Sequence, residues 1–169
     1  LVKNLKFHKA SIKSKELKKN DIFFAIKGKK NDGNKFLKEA IKRKSSLLIT
    51  NKINKDLSLT KQIKVKNTLN FLTECASNYR DNIKSNIIGI TGSCGKTSLK
   101  ELLGNGMKKI AKTYFSPKSY NNKFGVPLSL FNLKQDNKFG IFEIGMDKKG
   151  EINFLSKILK PNLGIITNI

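Results

Sequence analysis

Lys96, Thr97 and Ser98 stand directly behind two glycines in the run Asn86-Ile87-Ile88-Gly89-Ile90-Thr91-Gly92-Ser93-Cys94-Gly95-Lys96-Thr97-Ser98. An amine and a hydroxyl at that spacing suit phosphate chemistry. Main-chain amides of a glycine turn converge on phosphate oxygens, and the helix that follows adds its positive end. Lys96 would reach the terminal phosphates and the Thr97 hydroxyl would hold Mg²⁺. Gly92 and Gly95 let the chain curl tightly enough to approach an anion. The strict G-x-x-x-x-G-K-[ST] pattern is not met, because Ile90 occupies its first glycine position; Thr91-Gly92-x-x-Gly95-Lys96-Thr97 remains. Gly92, Ser93, Cys94, Gly95, Lys96, Thr97 and Ser98 are therefore the expected nucleotide contacts, with ATP and Mg²⁺ as cofactors; a chance glycine turn before a helix is the alternative.

A second group of residues bears on the same chemistry. Glu143 lies inside the apolar stretch Gly140-Ile141-Phe142-Glu143-Ile144-Gly145. A carboxylate there is costly unless it is paired or bound to metal, so Glu143 joins Thr97 as an expected Mg²⁺ residue. A glutamate facing solvent on an edge strand is the competing reading. Asn121 and Asn122, in Ser119-Tyr120-Asn121-Asn122-Lys123-Phe124-Gly125-Val126-Pro127-Leu128, offer amides to phosphate, carboxylate or hydroxyl groups, or simply cap a turn. His8, the single histidine, reads as a surface residue. Cys75 and Cys94 are too few for a disulfide framework or zinc site, and a reducing cytoplasm is the expected compartment.

These residues need strands and helices to hold them. Ile87–Thr91 reads as a strand and Lys96–Ile110 as a helix. Lys112–Phe115 then reads as a strand, Val126–Asn132 as a helix, Phe139–Ile144 as a strand, Glu151–Leu159 as a helix and Leu163–Thr167 as a strand. This alternation implies a parallel sheet flanked by helices, with ligands beyond the carboxyl ends of the strands, where Thr91, Glu143 and Thr167 fall. Before it, Asp21–Ile26 and Ser46–Thr50 read as strands, and Phe36–Lys44 and Leu69–Tyr79 as amphipathic helices. Two domains are expected, 1–82 and 83–169. A strand as the last element predicts an unfinished sheet, hence one piece of a longer enzyme.

The formal charge of +23 on 169 residues invites a polyanion-binding reading. Against it, the lysines are spread along the whole chain, and Arg43 and Arg80 are the only arginines. Arginine is the favoured residue for bidentate contacts to phosphate and guanine. No nucleic-acid partner is expected, although a lysine-rich P-loop module that binds DNA stays open as an alternative. No apolar run is long enough to cross a membrane.

Four stretches together resemble the Mur ligases, the ATP-dependent amide-forming enzymes of peptidoglycan synthesis. They are Asp21–Gly28 with Asp32-Gly33; Ile90–Lys100 with Glu101; Asn121-Asn122 with Gly125-Val126-Pro127-Leu128; and Glu143-Ile144-Gly145-Met146 with Gly150-Glu151-Ile152 and Pro161…Ile166-Thr167-Asn168-Ile169. The likeness is strongest to the branch that adds D-alanyl-D-alanine to UDP-N-acetylmuramoyl-tripeptide. The resemblance implies an α/β chain with a small amino-terminal uridine-binding domain and the first part of a P-loop parallel-sheet ATPase domain. It implies a ligase that works through an acyl phosphate, with those two molecules as substrates and a monomer when full length. Another amino-acid ligase of the same superfamily and a catalytically incomplete nucleotide-binding fragment stay open. It implies roles for Lys96 in charge stabilisation, Thr97 and Glu143 in holding Mg²⁺, and Asn121 or Asn122 in positioning substrate. Lys13-Ser14-Lys15 stands where the family has Asp-Ser-Arg, which leaves Ser14 as the implied uridine contact. The family's later metal-binding histidine, its carbamylated lysine and its carboxyl-terminal domain fall outside these 169 residues, so this piece alone is expected to be inactive.

Overall fold

The computed structural model describes residues 7–28, 31–118 and 120–169. The chain divides into two compact units, Leu1–Cys75 and Ala76–Ile169. The division falls inside a helix, somewhat ahead of the 82/83 boundary expected from composition.

The first unit is a parallel sheet of four short strands in chain order: β1 (Ala10–Ser11), β2 (Ile22–Phe24), β3 (Leu47–Thr50) and β4 (Gln62–Lys64). Its core gathers Leu17, Phe23, Ala25, Leu37, Ala40 and Leu48 around helix α1 (Leu37–Lys42). Asp32 starts the short turn before that helix by accepting from the Asn34 amide at 2.9 Å. β1 and β4 escaped the sequence reading because Ala10-Ser11 and Gln62-Ile63-Lys64 contain no apolar run, unlike the equally short β2. Helix α2 (Thr68–Asn82) follows, longer at both ends than Leu69–Tyr79.

The second unit is a parallel four-stranded sheet in the order β6-β7-β5-β8. Its strands are β5 (Asn86–Thr91), β6 (Thr113–Phe115), β7 (Phe139–Glu143) and β8 (Leu163–Ile166). Helices α3 (Lys96–Lys108), α4 (Gly125–Phe131) and α5 (Glu151–Leu159) connect them. β5 is paired on both edges and covered by α3 and α5, so Ile87, Ile88 and Ile90 are all buried and the strand reads as an uninterrupted apolar run. Each such side chain contributes roughly 1.5–3 kcal/mol on burial. Leu99, Leu103 and Met107 of α3 pack on Ile88, Ile90 and Ile141, at the three- and four-residue spacing of one helix face.

The end of α5 is held by Arg80. Its Nε donates to the Leu159 carbonyl at 2.8 Å, and its Nη2 donates to the Lys160 carbonyl at 2.8 Å and to Asn162 Oδ1 at 3.1 Å. These carbonyls would otherwise be left without donors at a helix terminus. Asn162 Oδ1 also accepts the Ile87 amide at 2.8 Å, which ties that terminus to the start of β5. One of the two arginines is thus spent on the fold. Among the described residues no helix is long and apolar enough to cross a membrane.

Candidate functional site

Register decides which residues meet. Ile90 pairs with Glu143 and Thr91 with Ile166, so the carboxyl ends of β7, β5 and β8 lie side by side. The chain leaves β5 into the turn Gly92–Gly95 and enters α3 at Lys96. Gly92 has φ +136° and Gly95 φ +79°, both conformations that residues with a Cβ rarely adopt. A Cβ on Gly92 would also collide with Thr167 Oγ1 and come within 2.9 Å of the Asn168 amide. The turn is braced from β8. Ser93 N donates to Asn168 O at 3.0 Å, and Thr167 Oγ1 donates to Cys94 O at 2.5 Å and to Thr91 O at 3.2 Å.

The consequence is a set of free donors. Among the described residues, the amides of Cys94, Gly95, Lys96, Thr97 and Ser98 have no protein acceptor. Five consecutive N–H groups at the head of a thirteen-residue helix form an anion cradle. The Lys96 ammonium folds back over this turn and donates to the Gly92 carbonyl at 2.5 Å and the Ser93 carbonyl at 3.4 Å. Its charge therefore lies beside the cradle.

Glu143 is the hub beneath it. The residue is 3% exposed at the end of β7. Its Oε2 accepts the Thr97 hydroxyl at 2.7 Å and its Oε1 accepts the Asn121 side-chain amide at 2.8 Å. Asn121 is itself fixed by its carbonyl, which accepts the Gly145 amide at 2.6 Å. The Lys100 ammonium, fully buried one helical turn beyond Lys96, stands 3.7 Å from Glu143 Oε2 and 3.5 Å from Glu101 Oε1. The reading of Glu143 as a solvent-facing edge residue does not fit this burial.

The residues singled out by sequence thus fall into three groups. Gly92, Ser93, Cys94, Gly95, Lys96, Thr97 and Ser98 form one turn, with Glu143 and Asn121 against it. Asn122 does not join them: its Oδ1 accepts the amides of Phe124 and Gly125, each at 3.1 Å, and shapes the entry to α4. Ser14 belongs to the first unit, is buried, and donates its hydroxyl to Glu39 Oε2 at 2.6 Å. Ser119, at the head of the polar stretch, lies outside the described residues. Thr167 lies at a strand end where a ligand is expected but carries no assigned role, and Lys100 carries none either. The signal for Lys100 was its position, four residues after Lys96 and three after Thr97, on the face that already carried the chemistry.

The donor set suits a nucleotide-bound Mg²⁺ better than a protein-only metal cage. Among the described residues no cluster of three His, Cys, Asp or Glu side chains forms. One carboxylate and one hydroxyl are present, the usual protein share when phosphates and water complete the shell.

Known proteins agree with this architecture. The Mur ligase middle domain matches residues 90–169. Over 158 residues the chain is 37% identical to the UDP-N-acetylmuramoyl-tripeptide–D-alanyl-D-alanine ligase of Buchnera aphidicola subsp. Acyrthosiphon pisum, covering 94% of this chain and 34% of that protein. The ligase of the same name from Rickettsia prowazekii is 37% identical over 156 residues, covering 92% and 34%. Among solved structures, MurF from Acinetobacter baumannii superposes with a TM-score of 0.84 at 29% identity, over 96% of this chain and 35% of that one. The MurF ligase of Thermotoga maritima in complex with ADP superposes with a TM-score of 0.81 at 29% identity, over 99% and 39%. The chain spans about a third of the length of the curated relatives it matches. With its strand–glycine turn–helix, its buried carboxylate and its relatives in agreement, the chain belongs to the Mur ligase family.

Proposed function

We propose that this chain supplies the ATP-binding part, and the beginning of the substrate-binding part, of an ATP-dependent ligase that joins D-alanyl-D-alanine to UDP-N-acetylmuramoyl-tripeptide. The observation that carries this reading is the row of five acceptor-less amides from Cys94 to Ser98, flanked by the Lys96 ammonium and the Thr97–Glu143 pair. Relatives bearing that enzyme name align along nearly the whole chain, and the Thermotoga maritima structure holds ADP.

The reaction needs little covalent chemistry from the protein. The peptide carboxylate attacks the γ-phosphorus and ADP leaves, which gives an acyl phosphate. The amine of D-alanyl-D-alanine then attacks the acyl carbon. Inorganic phosphate departs and the amine loses a proton, leaving the amide. In this scheme the amides of residues 94–98 orient the phosphate chain. Lys96 leaves the Gly92 carbonyl for phosphate oxygens and offsets charge that builds on the transferring group. Thr97 and Glu143 would hold Mg²⁺, which would supply positive charge against that of the phosphates. Asn121 keeps the Glu143 carboxylate turned toward Thr97. In the first unit, an open cleft of about 430 Å³ edged by Lys35, Lys52 and Lys55 offers positive charge to the diphosphate of the nucleotide-linked substrate. Ser14, tied to Glu39, would serve that unit through its fold unless it exchanges partners.

The test is Lys96→Ala in the intact enzyme. Turnover should fall by a hundredfold or more, the effect of losing about 3 kcal/mol of transition-state stabilisation, with the circular dichroism spectrum unchanged. Activity within a few-fold of the parent would remove Lys96 from the mechanism.

A further inference from the structure

Among the described residues, Lys100 is the one buried ammonium that the reaction scheme leaves idle. Its side chain is fully inaccessible, and its Nζ makes no hydrogen bond although it carries three donors. A buried, unsatisfied ammonium is among the more costly things a fold can keep. Glu143 explains its presence. The ammonium is 3.7 Å from Oε2, the oxygen that also accepts the Thr97 hydroxyl, while Oε1 is taken by Asn121. The carboxylate thus has hydrogen bonds from two neutral groups and a positive charge at contact distance without a bond.

We propose that Lys100 is a positioning residue that stands in for the metal's charge: it balances Glu143 while no metal is there, and it repels a divalent cation that arrives without nucleotide. This rests on the assignment of Glu143 and Thr97 to Mg²⁺. Because Lys100 makes no hydrogen bond to Oε2, that oxygen keeps a lone pair for a cation. Because both charges lie in a water-poor interior, their influence on each other is little screened. A bare divalent cation is then disfavoured, whereas one that carries the negative charge of ATP is accepted. The site would select the metal–nucleotide complex over the free ion. Glu101, the other carboxylate near Nζ at 3.5 Å, is one-third exposed, so water weakens its share of the balance.

Mn²⁺, which electron paramagnetic resonance detects directly, is titrated into the intact protein without nucleotide. Lys100→Met and Lys100→Gln should bind Mn²⁺ at least tenfold more tightly than the parent, and Lys100→Arg, which keeps the charge, should match the parent. A packing defect alone would weaken binding, not strengthen it. Lys100→Met and Lys100→Gln variants that bind Mn²⁺ no more tightly than the parent overturn the proposal. Should both neutral variants be unfolded, recovery of the fold on adding Mn²⁺ supports it, and failure to recover overturns it. Two further arms examine the underlying assignment separately. The Lys100→Met gain should vanish in Lys100→Met/Glu143→Gln, and the Mn²⁺ complex of a non-hydrolysable ATP analogue should bind Glu143→Gln more weakly than the parent. If both of those arms show no dependence on Glu143, the metal assignment itself is wrong, whatever Lys100 does.

Discussion

Changing Glu143 to glutamine keeps the size of the side chain and removes its charge, and the structure sets how much that should cost. Lys100 Nζ lies 3.7 Å from Glu143 Oε2, and both residues are almost wholly buried. Two unit charges at such a separation attract by about 4 kcal/mol at an effective dielectric constant of 20. Removing one member of a buried pair typically costs about 3–5 kcal/mol, and here Lys100 would keep only Glu101, one-third exposed and 3.5 Å away. The glutamine amide also brings donors to a place where Thr97 and Asn121 already donate. A loss of about 4 kcal/mol is expected for the second unit. Amide hydrogen exchange in β5 and β7 reads this directly, because those central strands open only with their unit. Their exchange should accelerate by roughly a thousandfold, at about 1.4 kcal/mol per factor of ten. Adding Lys100→Met removes both charges together and should restore at least half of the loss, since neutral replacement of a whole buried pair is well tolerated. If Glu143→Gln accelerates exchange less than tenfold, or if the second substitution adds its own cost in full, the electrostatic account of this pair is refuted.

Other consequences are accessible to simpler measurements. Gly92→Ala places a Cβ against Thr167 at φ +136°, so it should cost about 2 kcal/mol or more in thermal stability and weaken binding of an ATP analogue in a calorimetric titration. Burial pushes the Cys75 thiol up to about 11, whereas Cys94 is exposed; iodoacetamide at mildly alkaline pH should label Cys94 alone by peptide mass mapping, with ATP slowing the reaction. Burial likewise pushes the Tyr114 phenol up to about 12, above its ordinary value near 10. Below that ordinary value both folded and unfolded chains keep the proton; between the two values the unfolded chain loses it first, so stability should fall as pH rises through that window. The last phenolate absorbance should appear together with loss of the circular dichroism signal, and a single early step with the fold intact would contradict it.

Much of the site was legible because its signals are local. The apolar run of β5, the glycines and the Lys96-Thr97 pair are contiguous, and α5 was read with its observed bounds because its apolar spacing is strong. Helix α3 stops at Lys108 and not at Ile110, whose side chain is exposed and offers no packing to prolong it. The approach of Glu143 to Thr97 depends on β7 pairing with β5, a register that no stretch of sequence states. Asn121 and Asn122 show the limit plainly. Two identical neighbours have opposite employment, one on the carboxylate and one on the α4 entry, and only the backbone direction at each separates them. Lys100 was hidden by composition: in a chain so rich in lysine, a single helical lysine reads as solvated. Arg80 was hidden for a different reason, its partners lying some eighty positions away.

Thr167 and Asn168 grip the glycine turn from β8 through Cys94 O and Ser93 N. The motif that looks self-sufficient on paper is therefore half of a clasp, with its other jaw more than seventy positions downstream. A peptide covering only the turn and α3 would lack that jaw and should not hold phosphate. Affinity screens over the whole chain should instead find sensitive positions in two distant windows, and a nudge to the tip of β8 would be felt as a change in nucleotide grip.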